Sequence, residues 1–450
     1  MRNIQILYFS VIALIVVLWV FAEGSLFSAS NFFQVRDLVI QSSGVLAIGL
    51  MSIAMMLALR PRWPERWFGG LDKMYRLHKW LGISILVVAT FHWLWAEGPK
   101  WASGLGLIEG GARPTRAPIA DPVQAFLTSL RGSAESVGEW AFYAAALLMI
   151  LALVKYFPYR LFYKTHRLLA VAYLVLSFHA MVLTKFSYWM SPLGLLLALL
   201  LVGGVGAAVI VLLGLRGKGR QVWGRIATLH YYPGVRTLEI AIDMAQGWPG
   251  HKAGQFAFAM SDPSEGPHPY TIASSWHDGE SRISFIAKEL GDHTSRLKDK
   301  LSIGQEVRIE GPYGRFTFDD DFAHQIWIAG GIGITPFIAR MKHMALLRDT
   351  PDWPKGQVID LFHTTSEVDE EALAKLAADA LNADVRLHLL IDARDGQLTG
   401  DRLRAAVPDW STTSIWFCGP TGFADALKRD LAAKGFPTDR RFHQELFAMR

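Results

Sequence analysis

The chain has 450 residues, of which 51% are hydrophobic and 19% charged, with a formal net charge of +5. This composition is too apolar for one soluble domain and predicts a protein with a membrane part and a soluble part. A basic excess is typical of the cytoplasmic loops of membrane proteins, so it does not predict nucleic-acid binding. The single cysteine, Cys418, excludes a disulfide framework and an iron–sulfur cluster held by four cysteines of this chain.

Six apolar runs occupy the first half of the chain, and each is near the roughly 20 residues that a membrane-spanning helix needs. They cover residues 4–22, 38–59, 75–96, 138–157, 163–184 and 191–214. The first run could be read as a signal peptide, but five further spans follow, so we expect it to be retained.

Basic residues cluster on one side of the predicted spans. They lie between the second and third spans, between the fourth and fifth spans, and after the sixth span: Arg60, Arg62, Arg66, Lys73, Arg76, Lys155, Arg160, Lys164, Arg167, Arg216, Lys218 and Arg220. The positive-inside rule then places both termini in the cytoplasm and the loop 97–137 on the outer side.

Four of the 14 histidines precede residue 217, and they fall in only two spans: His78 and His92 in the third, His166 and His179 in the fifth. A lone histidine in a span is commonly hydrogen-bonded to a neighbouring helix, but two matched pairs are hard to explain in that way. The step of fourteen residues falls about 40° short of four helical turns, so His78 and His92 point to one side near opposite membrane faces. The step of thirteen between His166 and His179 requires a π-type bulge, a bend or a different approach angle.

Both of these spans begin on the cytoplasmic side, so we expect His78 to face His166 near the inner side and His92 to face His179 near the outer side. Histidines that face each other at matched depth are the axial ligands of a b-type haem, and two pairs predict two haems. Bis-histidine ligation leaves no open position on the iron, so electrons should leave from the edge of the outer haem. Cations that could meet the haem propionates, or be ordinary interfacial residues, are Arg36, Lys185, Arg76, Lys164 and Arg167.

After Gly217 the chain changes to short alternating apolar segments with Gly and Pro turns, which predicts a soluble region of strands and helices. The stretch HPYTIASS (268–275) is either a strand that ends in a polar turn or a flavin contact through Tyr270 and Thr271. The stretch GDHTSRL (291–297) is either a plain helix cap or an anion site for the FAD pyrophosphate.

Two further strand ends predict a nucleotide site. The stretch IWIAGGIGITPF (326–337) is a strand that runs into a glycine turn and a helix start, which lets backbone approach a pyrophosphate, although it is not the G-x-G-x-x-G fingerprint. The turn consists of Gly330, Gly331, Gly333, Thr335 and Pro336. The stretch IWFCGP (415–420) is a second strand end that could meet a nicotinamide at the carboxyl edge of an open sheet.

The motifs H-P-Y-T, G-x-x-T, G-G-x-G-x-T-P and C-G-P follow one another in this order, after histidine steps of fourteen and thirteen. In this combination the chain resembles the ferric reductase and NADPH oxidase superfamily over nearly all of its length. The resemblance implies a membrane α-helical bundle of six transmembrane helices with two haems over 1–216. It also implies a soluble β-barrel FAD-binding domain over 217–320, an α/β NAD(P)-binding domain over 321–450, and a bacterial inner membrane location.

The resemblance also assigns roles to individual residues. Those expected to contact FAD are His268, Pro269, Tyr270, Thr271, Gly291, His293 and Thr294. Those expected at the nucleotide pyrophosphate are Gly330, Gly331, Gly333, Thr335 and Pro336, and those on the nicotinamide side are Cys418, Gly419 and Pro420. Family members often end with an aromatic residue on the flavin, for which Phe447 is the first candidate and Phe442, or a plain packing role, the alternative.

The dinucleotide is expected to be NADPH, with NADH as the alternative. Thr364, Thr365 and Ser366 follow the strand VIDLFH, and Arg394 follows a later strand, which would suit a 2′-phosphate. Glu367 is close enough in sequence to contact a ribose hydroxyl instead. The family's calcium-binding extension is absent from this sequence, so calcium control is not expected.

The expected function is electron transfer from cytoplasmic NAD(P)H through FAD and two haems to an outer acceptor, either a ferric chelate or O2 with superoxide formation. Animal NADPH oxidases tend to carry a further histidine where this chain has Ala96, which favours a ferric acceptor. Alternatives are an electron supply for a periplasmic partner protein or the quinone pool, and a membrane-anchored flavoenzyme without haem, which the four histidines oppose. Apart from the lipid bilayer and a small acceptor no partner is implied, and the oligomeric state stays open.

Overall fold

A computed structural model describes the whole chain except residues 1, 25, 27, 108–118, 155, 278, 354–355 and 447–450. The chain forms two compact units. The helical unit consists of Arg2–Pro61 and Met74–Arg216, and the sheet unit consists of Arg62–Lys73 and the chain from Gly217 onward. The linker between the second and third predicted spans therefore contributes twelve residues, 62–73, to the sheet unit.

Long helices dominate the chain before Gly217. They are α1 (Arg2–Ala22), α2 (Phe32–Leu57), α3 (Glu65–Phe68), α4 (Leu71–Gly104), α5 (Pro122–Ser129), α6 (Arg131–Leu153), α7 (Tyr159–His166), α8 (Leu169–Leu183), α9 (Phe186–Trp189) and α10 (Pro192–Leu212). Within the described residues, six helical segments are long and apolar enough to cross a membrane: Asn3–Ala22, Phe32–Leu57, Leu71–Gly104, Arg131–Leu153, Tyr159–Leu183 and Pro192–Leu212. The six predicted spans are confirmed, and the protein is an integral membrane protein.

The fifth span is interrupted between the two histidines it carries. Helix α7 ends at His166 and α8 begins at Leu169, so the regular helical hydrogen bonding is broken over Arg167 and Leu168, although both keep right-handed helical dihedral angles. Arg167, one of these two, donates from Nη2 to the Leu212 carbonyl at 2.6 Å. A break of this kind is what the thirteen-residue step requires, because an unbroken helix would turn the two rings to different sides.

Small residues let the helices of this unit approach one another closely. The buried Tyr173 on α8 and Ser52 on α2 join their hydroxyl groups at 2.8 Å. A Cβ at Gly204 on α10 would lie 2.0 Å from the Tyr173 hydroxyl, so only glycine leaves room for this bond. Polar groups buried in such an apolar bundle are stabilised by hydrogen bonds across helices.

The first part of the sheet unit is an antiparallel sheet. Its strands are β1 (Gln221–Tyr232), β2 (Thr237–Met244), β3 (Phe256–Met260), β4 (His268–Thr271), β5 (Arg282–Lys288) and β6 (Glu306–Tyr313), in the order β4-β3-β6-β1-β2-β5. A bridge between Ile272 and Phe285 connects the two edges, which closes the sheet into a barrel. Its interior is filled by buried aliphatic residues such as Ile283 and Ile309, as predicted for the FAD-binding part.

The second part is a parallel sheet of β7 (His324–Gly330), β8 (Val358–Thr365), β9 (Arg386–Ile391), β10 (Ser414–Cys418) and β11 (Phe442–Gln444), in the order β11-β10-β7-β8-β9. The helices of the sheet unit after Gly217 are α11 (Leu297–Lys300), α12 (Thr335–Leu347), α13 (Glu370–Asn382), α14 (Asp392–Asp395), α15 (Gly400–Ala406), α16 (Thr421–Ala433) and α17 (Thr438–Arg441). The strand order reverses between β7 and β10, and ligands of such sheets bind at the carboxyl ends of the strands at this switch point. The predicted α/β fold is confirmed.

Candidate functional site

The four histidines of the helical unit form two pairs. The ring centres of His78 and His166 are 6.0 Å apart, and those of His92 and His179 are 6.4 Å apart. A ring centre lies roughly 3 Å from a metal bonded at its nitrogen, so two imidazoles on one metal have centres about 6 Å apart. The spacing of each pair fits one axially ligated metal.

Backbone carbonyls fix the orientation of three of these rings. The contacts of their Nδ1 atoms are with Ala54 O at 3.1 Å for His78, Ile40 O at 3.1 Å for His92 and Ala134 O at 2.8 Å for His179. A carbonyl only accepts, so each Nδ1 carries the hydrogen and each Nε2 presents a lone pair. Metal-ligating histidines are commonly held in this way.

Two glycines make room for the outer rings. A Cβ at Gly138 on α6 would lie 1.9 Å from His179 Nδ1, and a Cβ at Gly44 on α2 would lie 3.1 Å from His92 Cε1. Neither glycine was predictable from the sequence, because a glycine in an apolar span gives no local sign of the ring it faces. With the donor atoms and the oriented rings, this cradle fits a haem between His92 and His179.

The cations considered for the outer propionates bond to protein groups. Arg36 donates to the carbonyls of Trp95 at 3.0 Å and Ala96 at 2.7 Å. Lys185 pairs with Glu23 at 2.7 Å and with Asp37 at 2.9 Å. Both cations therefore hold neighbouring helical segments together in this structure.

In the barrel, β4 contains the H-P-Y-T motif and pairs with β3. Thr271 is 7% exposed, and its Oγ1 has no hydrogen-bond partner among the described residues. Buried hydroxyl groups are normally hydrogen-bonded, so an orphaned one marks a place where a ligand supplies the partner. This atom fits the flavin contact expected of Thr271, and the neighbouring Tyr270 packs at 5.9 Å from Phe285 inside the barrel.

The fold brings the two predicted FAD motifs together. The rings of His268 and His293 stack at 3.6 Å with 7° between their planes. Burial, reinforced by the neighbouring ring, lowers the pKa of His268 to about 3, and burial also lowers the pKa of His293. Both rings are therefore neutral at pH 7. In the adjoining turn the Thr294 hydroxyl accepts from the amide of Gly291 at 3.2 Å.

The two predicted nucleotide turns pack against each other at the switch point. A Cβ at Gly333 would lie 2.1 Å from the Cys418 carbonyl oxygen, and one at Gly330 would lie 2.7 Å from Pro420 Cδ. These glycines, and Gly419, whose added Cβ would lie 3.0 Å from the Gly330 amide, are needed for close packing of the two turns. Gly331 differs, because its φ is +55° and no described atom lies within 4 Å of the position that a Cβ would take there.

The glycine turn leads into the beginning of helix α12. Thr335 begins α12, Pro336 lies in its first turn, and the Thr335 hydroxyl donates to the Ile332 carbonyl at 2.9 Å. The first amides of a helix have no intrahelical acceptor, so the open face at Gly331 fits a phosphate.

The remaining predicted residues have different surroundings. Cys418 is fully buried, and burial raises the pKa of its thiol. Phe442 is 8% exposed and stacks on Phe417 at 5.8 Å, so it belongs to the core of the parallel sheet. Phe447 lies outside the described residues.

The groups expected at the adenosine end are already paired. Arg394 is exposed and forms an ion pair with Asp395 at 2.9 Å. Glu367 contacts Lys288 at 2.6 Å and Arg236 at 2.5 Å, and these cations lower the pKa of its carboxyl. Thr364 and Thr365 end β8. Glu367 would have to leave two cations before it could bind a ribose hydroxyl.

Comparisons with known proteins match both units. The family described as "Ferric reductase like transmembrane component" matches residues 43–177, and the family described as "FAD-binding domain" matches residues 222–317. The reductase component of propane 2-monooxygenase from Rhodococcus jostii is 24% identical over 205 residues, which cover 43% of this chain and 55% of that protein. NADH-cytochrome b5 reductase 1 from Pyricularia oryzae is 30% identical over 169 residues, 34% of this chain and 53% of that protein.

A plant protein is also similar. Ferric reduction oxidase 7, chloroplastic, from Arabidopsis thaliana is 27% identical over 149 residues, which cover 27% of this chain and 20% of that protein. The chain spans about half the length of the first curated relatives that it matches.

Proposed function

Because the chain joins a match to a ferric reductase-like transmembrane component to a match to an FAD-binding domain, we propose that it transfers electrons from NAD(P)H across the membrane to an outer acceptor. The observation that carries the proposal is the pair of histidine spacings, 6.0 Å and 6.4 Å, with Nε2 lone pairs available. In the net reaction NAD(P)H becomes NAD(P)+, one proton stays in the cytoplasm, and two electrons reduce two one-electron acceptors.

The residues present fit the groups that this reaction needs. When bound, FAD accepts a hydride and gives up single electrons, and b-type haems carry them. His78 and His166 would hold the inner haem, and His92 and His179 the outer one. With two imidazoles supplied to each iron, the chain would keep acceptors away from the iron itself.

The sheet unit would bind and orient the nucleotide and the flavin. The Thr271 hydroxyl would supply a hydrogen bond to the flavin, and the neutral rings of His268 and His293 would contact it. The turn at Gly331 and the start of α12 hold the nucleotide pyrophosphate. The fully buried Cys418 thiol would back the nicotinamide side, while Gly419 and Pro420 of the same turn are partly exposed and exposed, respectively, and could be reached by the nucleotide. The proposed domains are a transmembrane domain over 1–216, an FAD-binding domain over 217–320 and an NAD(P)-binding domain over 321–450.

A ferric chelate is the proposed acceptor, with O2 second. Ala96 offers no side chain that could bind a small ligand, and its carbonyl accepts from Arg36. Both termini are proposed to lie in the cytoplasm of a bacterium, with the chain in its inner membrane. NADPH is the proposed donor, because Glu367, the group that would favour NADH, is paired with two cations.

The test is the reduced-minus-oxidised absorbance spectrum of the purified full chain, with NADPH, then NADH, then dithionite as reductant. We expect a b-type haem signal near two haems per chain that NADPH develops only when FAD is present. His78→Ala, His92→Ala, His166→Ala and His179→Ala should each remove about half of the haem absorbance, and His277→Ala, at an exposed position of the sheet unit, is the matched control. A flavin that bleaches without any haem band would overturn the proposal.

The acceptor is tested separately. Oxygen consumption and Fe(III) reduction are measured with NADPH, each with and without a ferric chelate. Loss of oxygen consumption when the chelate is added supports the ferric acceptor. If the purified chain reduces neither iron nor oxygen, the electrons go to a periplasmic protein or to quinone instead.

A further inference from the structure

The segment Arg62–Lys73 is a linker between two membrane helices that folds into the sheet unit. It contains helix α3, two glycines with φ of +78° and +126°, and the start of α4. It also carries two carboxylates that the fold buries, Glu65 at 5% and Asp72 at 4% exposure. Burial of a carboxylate is costly unless it is paired, so these two acids need a structural reason.

Each of these acids accepts a hydrogen bond from a backbone amide of the sheet unit. The amide of Gly314, directly after β6, donates to Glu65 Oε2 at 3.2 Å. The amide of Leu446, two residues after β11, donates to Asp72 Oδ2 at 3.1 Å. Asp72 therefore holds in place the segment that follows β11, the edge strand of the parallel sheet.

A third buried acid lies next to this contact. Glu445 is 4% exposed, and its amide donates to the Phe417 carbonyl at 3.4 Å, which extends the pairing of β10 with β11. No hydrogen-bond partner reaches Glu445 Oε2 within the part of the chain that the structure describes. Glu445 thus holds an unsatisfied carboxyl oxygen near the carboxyl end of β10, where Cys418 lies.

The charges around Glu445 oppose its ionisation. The groups that face it are Asp72 and Lys73 from the start of α4, and its charge acts on the Cys418 thiol from β10. Burial, and then the negative charge of Asp72, raise the pKa of Glu445 to about 8, while Lys73 lowers it. Lys73 lies 3.2 Å from Asp72 Oδ2 and 2.8 Å from the Gly69 carbonyl.

We propose that Asp72 is a positioning residue for hydride transfer: through its bond to the Leu446 amide, the segment Arg62–Lys73 holds Glu445 and the carboxyl edge of β10 and β11 in place. The inference rests on the proposed function, because it concerns the site at which the nicotinamide would meet the flavin. When Glu445 ionises, its charge opposes that of Asp72, and the link to Leu446 weakens. The rate of flavin reduction should therefore fall as the pH rises through about 8.

The test is anaerobic stopped-flow reduction of FAD by NADPH, using the full chain in detergent from pH 6 to 9.5. We expect the wild-type rate to decline above pH 8, and Glu445→Gln to hold its pH 7 rate at pH 9. Asp72→Asn, which keeps an acceptor oxygen but loses the charge, should be about tenfold slower at pH 7. Lys73→Met removes the cation that favours ionised Glu445, so its decline should move to higher pH.

Glu65→Gln is the matched control, because Glu65 is buried in the same segment but bonds to Gly314 and not to Leu446. Its pH profile should follow the wild type. FAD content is measured for every variant, and if Asp72→Asn fails to fold, the shift in Lys73→Met decides. A wild-type profile in both Asp72→Asn and Lys73→Met, or an unchanged decline in Glu445→Gln, overturns the inference.

Failure of the proposed function gives a different result. If NADPH does not reduce FAD in the wild-type chain at any pH, the proposed function falls and this inference falls with it. If the wild type reduces FAD and only the three variants behave unexpectedly, the role of Asp72 and Glu445 alone is wrong.

Discussion

The helical unit and the sheet unit build their sites in different ways. In the helical unit, side chains at fixed steps on two long segments provide the functional atoms, and glycines on other helices give them room. In the sheet unit, backbone turns after strands provide most of the site, and glycines allow two turns to touch. A site made of side chains on helices can be read from spacing, whereas a site made of turns depends on which strands become neighbours.

The largest expected effect separates the two units. His92→Ala and His179→Ala should each lower the haem content from about two to about one per chain, because the remaining imidazole lacks its axial partner. Reduction of an outer Fe(III) chelate should fall to background, while FAD reduction by NADPH should stay at the wild-type rate. Haem content by pyridine haemochrome and stopped-flow flavin reduction measure the two effects. Loss of flavin reduction in these variants would show that the two units do not work independently.

The same comparison explains what the sequence could predict. The six spans and the histidine pairing were predictable, because long apolar runs and helical steps are local properties of the chain. The roles of Gly138 and Gly44 were not, because they depend on which face of α6 and of α2 meets a ring from another helix.

In the sheet unit the order of the motifs predicted both sheets. The sequence did not predict that the linker 62–73 belongs to the sheet unit. Glu65 and Asp72 lie among basic residues and look like ordinary surface charges of a cytoplasmic loop. Only the fold shows that both are buried. The adjacent glycines Gly69 and Gly70, both with positive φ, were the one local sign of a tight turn there.

The next effect tests the glycine cradle of the outer histidine. Gly138→Ala places a Cβ where His179 Nδ1 lies 1.9 Å away, and such overpacking costs typically 1–3 kcal/mol or displaces the ring. We expect loss of the outer haem with the inner haem retained. Gly44→Ala, where the nearest ring atom is 3.1 Å away, should have a smaller effect of the same kind.

Gly132→Ala is the control for both, because Gly132 lies on the same helix α6 and no described atom comes within 4 Å of an added Cβ. It should be neutral or slightly stabilising, since alanine favours a helix by up to about 1 kcal/mol over glycine. Equal haem loss in the Gly132 and Gly138 variants would show that α6 tolerates no alanine and would remove the argument for a cradle.

A smaller effect is expected in the sheet unit. Thr271→Val keeps the shape of the side chain but removes the orphaned hydroxyl, so FAD should bind about fivefold to tenfold more weakly, which corresponds to a hydrogen bond of about 1 kcal/mol. Thr271→Ser should restore binding. Equilibrium titration of the FAD-depleted full chain, followed by flavin fluorescence, gives the dissociation constants. Equal affinity in the wild type and in Thr271→Val would mean that the flavin does not reach this hydroxyl.

The smallest expected effect concerns a difference within the helical unit. Ser43 Oγ lies 3.1 Å from His92 Nδ1 and 2.6 Å from the Val39 carbonyl, so the hydroxyl donates to Val39 and accepts from the imidazole. This second acceptor, beside Ile40 O, makes His92 a more electron-rich ligand. Ser43→Ala should therefore raise the potential of the outer haem by about 40 mV, the one-electron equivalent of a hydrogen bond of about 1 kcal/mol. Potentiometric titration monitored by haem absorbance measures this shift.

The inner haem is the internal control, because His78 Nδ1 bonds to the Ala54 carbonyl. A shift of both potentials together would point to a general change in the bundle, whereas a shift of one would assign the component that shifts to the outer pair.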